Sequence, residues 1–326
     1  MSLGIRKLGI PNVIWCAALT AVFGIIAATV PLINILAYMV WAVPAIILIR
    51  KEGLKQGLAA LTIAVIMMIV GLQNFQEGLF YGVQLYLTAA ILGLLLKNHV
   101  STSYSLAFIL ASAAIVGGIL LIYSWSTGLL DIDVLRRHLM SSIDPYMEIL
   151  KQNNALEAQQ ARGYSEATIR DMLKETVELS VQLIPATTII GVIVSMVVNY
   201  LLAGKILTKK FSHQASQLAF SQWQLPWHVI WVMIAGLSLF LLGASDSIWA
   251  VIGKNLILIN VVISLTIGLG VAIYYFTRIP FSWFFKAILI MVLVINLPIT
   301  LAALLILGLF DPAVNFRRLG IVKKTE

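Results

Sequence analysis

The feature that most constrains this chain is its series of long apolar blocks without charged residues. The first runs from Val13 to Ile49 without a single Asp, Glu, Lys or Arg. About 18 apolar residues suffice for a helix to cross the ~30 Å hydrocarbon core of a bilayer. Because hydrocarbon offers no hydrogen-bond partner, each block must satisfy its own backbone as a helix. The sequence therefore predicts an all-α, polytopic transmembrane helical bundle embedded in a lipid bilayer.

The block pattern predicts about eight or nine spans. Pro31 divides the first block, since proline interrupts helical hydrogen bonding. The predicted spans are residues 13–30, 32–49, 57–72, 79–96, 104–125, 179–202, 229–242, 248–276 and 285–310.

With 60% hydrophobic and 11% charged residues, against roughly 45–50% and about 25% in soluble domains, a water-soluble protein is excluded. Despite a net charge of +8, the basic residues flank apolar blocks, so no nucleic-acid partner is expected.

Basic residues predict the orientation of the bundle. They gather at the N-terminus and in alternate connectors, and the positive-inside rule places these on the cytoplasmic side. We expect a multi-pass plasma-membrane protein with a cytoplasmic N-terminus. Nine spans would place the basic tail outside, which conflicts with the same rule. Either residues 285–310 are re-entrant around Pro298, or one span is miscounted, or the tail is an exception.

Three regions follow from this pattern. Residues 1–127 hold five spans, residues 128–178 form an external amphipathic helical insert, and residues 179–326 hold three to four spans and the basic tail. Between positions 126 and 178 the chain carries nine acidic and six basic residues, far more than elsewhere. Ser165 is predicted to cap a helix whose first turn contains Glu166.

No catalytic constellation emerges from the sequence. The four histidines are scattered through different connectors, the single cysteine lies in an apolar block, and neither a P-loop nor a metal-binding motif is present. We therefore expect no enzymatic activity, no cofactor and no metal. Any energy source would be a partner protein or an ion gradient.

Polar residues at membrane depth are the best candidates for ligand contacts, because each is unfavourable there unless it is paired or faces a cavity. Lys254 either extends its ammonium group to the interface, or binds a ligand or pairs with Asp246. The candidates at membrane depth are Gln84, Asn199, Lys254, Asn255, Asn260 and Asn296. A polar mouth on the external side adds Gln73, Asn74, Gln76 and Glu77.

Small residues line one face of the first helix. Ala17 and Ala21, with Gly24, would allow another helix to approach closely. Such a face either packs inside the same protein or docks a membrane partner subunit.

Two stretches carry a family resemblance. The segment Leu307 to Arg318, L-G-L-F-D-P-A-V-N-F-R-R, contains Asp311, Phe316 and Arg317. It resembles the closing signature of the YybS-like family of predicted bacterial membrane proteins. A Trp-Gln-Leu-Pro element, Trp223 to Pro226, precedes a late span as that resemblance implies. The resemblance covers almost the whole chain and implies a polytopic protein of a bacterial plasma membrane without an assigned activity.

More distantly, residues 6–127 with the sixth span resemble the six-helix S components of energy-coupling-factor vitamin transporters. That resemblance implies a coupling subunit docked on the first helix and a substrate held near the external side. The insert and the additional C-terminal spans depart from that family.

These observations lead to two hypotheses. The first is a protein that binds or moves a small molecule through an intramembrane cavity. The alternative is a scaffold or anchor of an envelope, division or sporulation complex, docking partners through the external helices. A membrane enzyme acting on lipid-linked substrates lacks the clustered carboxylates or histidines that it would need.

Overall fold

The computed structural model describes residues 10–211, 218–244 and 247–319, and within these ranges the chain forms helices and no strands. The predicted all-α polytopic bundle is confirmed. Eight helical segments are long and apolar enough to cross a membrane: Pro11–Thr29, Asn34–Glu52, Leu54–Leu72, Phe75–Lys97, Thr102–Thr127, Ile184–Lys209, Ile248–Arg278 and Leu297–Val314.

The first half of the chain builds one packed bundle. Its helices are α1 (Ile10–Thr29), α2 (Asn34–Tyr38), α3 (Val43–Glu52), α4 (Leu54–Leu72), α5 (Phe75–Lys97) and α6 (Thr102–Thr127). Buried side chains from these helices, together with a later helix, form a single apolar core. Close approaches use glycine: a Cβ at Gly78 of α5 would lie 2.7 Å from the Cα atom of Ile69 in α4.

The second predicted span, residues 32–49, is not one continuous helix. It is divided into α2 and α3 by a turn at residues 39–42. Pro44 lies in the first turn of α3. Because proline cannot donate a backbone hydrogen bond and disfavours helix in the residue before it, the helix restarts there.

The insert contains four helices with a small apolar core of their own. They are α7 (Ile132–Ser141), α8 (Ile143–Gln152), α9 (Ala155–Gln160) and α10 (Glu166–Gln182). Met147 and Leu156 are buried at their centre. The N-cap prediction is confirmed, since the Ser165 side chain accepts a hydrogen bond from the Thr168 amide. A hydrogen bond from Lys151, more than its charge, lowers the pKa of Glu166.

The sixth span begins later than predicted. Helix α10 ends at Gln182 and α11 (Ile184–Phe211) follows. Pro185 stands in the first turn of α11, where its missing amide proton interrupts the ladder. The span therefore begins at Ile184 rather than at residue 179.

Beyond α11, the described residues form four α-helices. They are α12 (Ile230–Leu242), α13 (Ile248–Arg278), α14 (Trp283–Ile295) and α15 (Leu297–Val314). The single helix predicted at residues 285–310 is therefore wrong: the chain breaks at Asn296, and Pro298 follows in the first turn of α15. The Thr300 hydroxyl donates to the Leu293 carbonyl across this break, a contact that a straight helix does not allow at that spacing.

Helices α13 and α15 run in the same direction. A Cβ at Gly268 would overlap the backbone of Leu304, and a Cβ at Gly308 would overlap that of Ser264. Further along, the Tyr274 hydroxyl of α13 donates to the carbonyl of Arg317, just past the end of α15, at 2.9 Å. Two parallel helices that follow each other in the chain need a connecting segment that brings the chain back to the starting end. Helix α14 is that segment.

The hairpin of α14 and α15 removes the conflict over the basic tail. Arg317 ends up beside Tyr274, at the same end of the bundle as Arg278. Either a re-entrant hairpin or one additional crossing satisfies the positive-inside rule. Of the predicted basic tail, Lys323 and Lys324 lie outside the described residues.

Candidate functional site

The buried amide of Asn199 lies at the break between α2 and α3. Its side-chain oxygen accepts a hydrogen bond from the Ala42 amide at 3.1 Å, and its nitrogen donates to the Tyr38 carbonyl at 3.3 Å. The Ser195 hydroxyl donates to the same carbonyl. Asn199 therefore satisfies backbone groups that the turn releases from helical hydrogen bonding. Lipid could not do so, because hydrocarbon has no hydrogen-bonding groups.

Asn255 has the same role at the break between α10 and α11. Its oxygen accepts from the Ala186 amide and its nitrogen donates to the Gln182 carbonyl, both at 2.8 Å. Asn255 is on α13, so this side chain fixes the start of α11 against a C-terminal helix.

Asn260 and Asn296 also bond to backbone near helix ends. Asn260 donates to the Val229 carbonyl just before α12 and accepts from the Ser264 hydroxyl. Asn296 donates to the Val292 carbonyl at the tip of the hairpin. The structure does not bring the predicted intramembrane amides together around one cavity. Most of them instead complete the backbone bonding of interrupted helices.

The predicted polar mouth forms the tight turn between α4 and α5. Asn74 caps α5 by accepting from the Glu77 amide at 3.2 Å, and Gln73 adopts a left-handed conformation at the end of α4. The Gln76 carbonyl accepts from the Tyr123 hydroxyl of α6. The side chains of Gln73, Gln76 and Glu77 are exposed.

Gln84 differs from the asparagines. It is buried on α5, and its side-chain nitrogen has no hydrogen-bond partner among the described residues. The indole nitrogen of Trp41, in the turn between α2 and α3, is also buried and unpartnered within that part of the chain.

The Lys254 side chain extends from α13 to the last residue of α10. Its ammonium group donates to the Gln182 side-chain oxygen at 2.8 Å, and no carboxylate of the described residues pairs with it. Asp246, the partner that the sequence suggested, lies outside those residues.

The predicted docking face of α1 is inside the bundle. Ala17 and Ala21 are 0% and 1% exposed, and a Cβ at Gly24 would lie 2.6 Å from the sulfur and the terminal methyl of Met68 in α4. The structure thus uses this face for packing within the chain, and the surface expected to meet a partner subunit is not exposed.

A groove that the sequence did not predict lies between α6 and α11 on one side and α13 with the segment around Trp223 on the other. It has a volume of about 150 Å³ and is partly open. Its walls are Leu106 and Leu110 of α6, five aliphatic residues of α11 between positions 190 and 198, four residues of α13 between 262 and 267, and Trp223 with Leu225. Sequence periodicity gives no signal for it, because aliphatic residues that line a groove and those that face lipid have the same composition.

The two family-signature stretches meet in the structure. Asp311 and Arg317 form an ion pair at 2.6 Å in which both side chains are 0% exposed. The Arg317 guanidinium also donates to the carbonyls of Ser221 and Trp223, and the Phe316 carbonyl accepts from the Tyr275 hydroxyl. The signature residues therefore tie the end of α15 to the Trp-Gln-Leu-Pro element.

No group of three or more His, Cys, Asp or Glu within the described ranges is placed to hold a metal ion. No curated protein matches this chain, and no solved structure does. A family model described as predicted membrane protein (DUF2232) matches residues 18–312. The chain therefore belongs to the DUF2232 family of predicted membrane proteins, in agreement with its YybS-like signature.

Proposed function

We propose that this protein binds a lipid-like small molecule in the groove between α6, α11 and α13, within a bacterial plasma membrane. It has no catalytic activity and no ATPase of its own. The observation that supports this proposal is the groove itself, a cavity at membrane depth whose lining is almost entirely aliphatic.

The chemistry of the lining indicates the class of ligand. Thr266 and Trp223 are the only lining residues with a polar side-chain group, and the Trp223 nitrogen already donates to the Leu218 carbonyl. An empty groove forfeits dispersion contacts on its walls. An alkyl or isoprenoid chain restores these contacts without leaving a polar group unpaired, whereas a polar metabolite would lose its hydration.

Photocrosslinking tests this proposal. Purified protein in phosphatidylcholine nanodiscs is labelled with a phospholipid that carries a diazirine on its acyl chain, and labelled peptides are mapped. We expect labelling to concentrate on residues 190–198 and 262–267. Val194, 36% exposed in the groove, is changed to Phe to fill the space, and Val70, 70% exposed on α4, supplies the matched Val→Phe control.

Labelling of the groove should fall severalfold in Val194→Phe and stay unchanged in Val70→Phe. Equal labelling of all exposed apolar helices in the unmodified protein would contradict the proposal, because it would show only contact with bulk lipid.

A second candidate function is an anchor that docks a partner through the insert. Exposed apolar side chains favour it, since Val134, Tyr146 and Ile149 are each about half exposed on helices with polar surroundings. A specific crosslinked partner that is lost in Ile149→Glu, while groove labelling stays normal, would support the anchor.

A further inference from the structure

The groove has a polar end, defined by the register of α11 and α13. Both hydrogen bonds of Asn255 to the backbone near the start of α11 set residues 186 and 255 side by side. The groove lies further along both helices, at residues 190–198 and 262–267. The two helices therefore run parallel, and their first turns mark one end of the groove.

Lys254 is at that end. It precedes Val262, the first groove residue of α13, by eight positions, which corresponds to about 12 Å along a helix. Its ammonium group can donate three hydrogen bonds, and the one that the structure shows goes to a neutral amide, Gln182. The cation is half-buried and is not neutralised by any carboxylate of the described ranges.

This arrangement matches an amphiphile rather than a simple hydrocarbon. An alkyl chain in the groove, extended along α11 and α13, would place its polar group near the first turns of these helices. A cation at that position favours an anionic oxygen, since charge-assisted hydrogen bonds are about twice as strong as neutral ones. The same end of the bundle carries the insert, because α10 leads directly into α11.

We infer that Lys254 binds the anionic group, a phosphate or carboxylate, of a membrane amphiphile whose alkyl chain occupies the groove. This inference rests on the proposed function and adds the charge of the ligand and the residue that selects it. Gln182 positions the ammonium group, and the groove selects the chain.

The test compares two diazirine phospholipids with identical chains, one with an anionic phosphatidylglycerol headgroup and one with zwitterionic phosphatidylcholine. The full-length protein in nanodiscs should label with the anionic probe about fivefold more strongly, the effect of one well-placed cation at a membrane surface. Lys254→Gln should abolish this preference while the groove still labels, and Lys254→Arg should retain most of it.

The variants separate the two proposals. If Val194→Phe does not reduce labelling by either probe, the proposed function fails. If Val194→Phe reduces labelling but Lys254→Gln keeps the anionic preference, only the assignment of Lys254 is overturned.

Two further arms exclude other sources of the effect. Millimolar inorganic phosphate should not abolish the preference, and if it does, the cation is a site for free anions rather than for a headgroup. A protein that shows no preference but gains one in Asp246→Asn would reveal that Lys254 is already paired, which would also overturn the assignment.

Discussion

The two halves of this bundle are held together by different means. Helices α1 to α6 with α11 share one core of buried side chains. In the C-terminal half, α14 has no buried residue, and α13 packs against α15 through the backbone at Gly268 and Gly308. Hydrogen bonds from the Arg317 guanidinium to the carbonyls of Ser221 and Trp223 hold the segment after α15 in place. Because lipid is as apolar as leucine, close backbone approach and internal polar bonds can replace a side-chain core.

The largest expected effect tests the ion pair of the C-terminal half. Arg317→Ala leaves the buried Asp311 carboxylate and two carbonyls without their donor, and removal of one partner from a buried pair typically destabilises by about 3–5 kcal/mol. We expect a large fall in melting temperature and rapid hydrogen exchange in α15, with little change in α1 to α5.

Arg318→Ala is the matched control, since Arg318 is the next residue and its side chain is exposed. It should leave both measurements unchanged. Uniform loss of protection across both halves in Arg317→Ala would show that the halves do not unfold separately, and the comparison would fail.

The second prediction tests whether the apolar core of the N-terminal half is sufficient for its stability without buried hydrogen bonds. Asn199→Leu keeps the branching of the side chain but removes one of the two side-chain donors to the Tyr38 carbonyl and the side-chain acceptor of the Ala42 amide. Each orphaned buried group costs about 1–3 kcal/mol. We expect a loss of about 2–4 kcal/mol in unfolding by SDS titration, because the Ser195 hydroxyl still serves Tyr38.

Wild-type stability in Asn199→Leu would mean that water reaches the turn between α2 and α3. The matched control is Asn98→Leu, at the end of α5 where the side chain is exposed and has no such partners. It should change stability by only a few tenths of a kcal/mol.

The sequence predicted the all-α class and the order of the apolar spans well, because block length and charge report directly on the bilayer. The helix breaks at residues 39–42 and at residue 296 were harder to predict from the sequence. Pro44 and Pro298 are visible in the sequence, but proline also occurs in helices that only bend. Pro185 shows the ambiguity, since there the chain does break, at Leu183.

The candidate site was less predictable than the fold. An asparagine in an apolar block is equally compatible with binding a ligand and with capping an interrupted helix, and only the partner atoms distinguish these roles. Asn199 and Asn255 prove to bond to backbone. The groove depends on helix register, which hydrophobicity does not encode, whereas the signature residues Asp311 and Arg317 were identified from the resemblance alone.

A smaller effect on stability is expected when glycines of the two halves are each replaced by alanine. Gly308→Ala introduces a Cβ that would overlap the Ser264 backbone, and neither backbone can move without separating α13 from α15. Overpacking of this kind costs about 1–3 kcal/mol. Gly118→Ala on α6 has open space around it and should be neutral or slightly stabilising. Equal melting temperatures for the two variants would contradict the backbone packing of the C-terminal half.

The smallest expected effect concerns Gln84, the exception among the buried amides of the N-terminal half. Its side-chain nitrogen is buried without a partner in the described structure, so replacement by the similarly shaped Met removes a desolvated donor rather than a hydrogen bond. Since replacing an unsatisfied polar group by an apolar one of the same shape is neutral or stabilising, we expect Gln84→Met to raise stability by up to about 1 kcal/mol. The same SDS titration measures it beside Asn199→Leu. A destabilisation as large as that of Asn199→Leu would show that the Gln84 amide has a partner in the membrane, such as a buried water, and the core of the N-terminal half would then depend on polar bonds as much as the C-terminal half does.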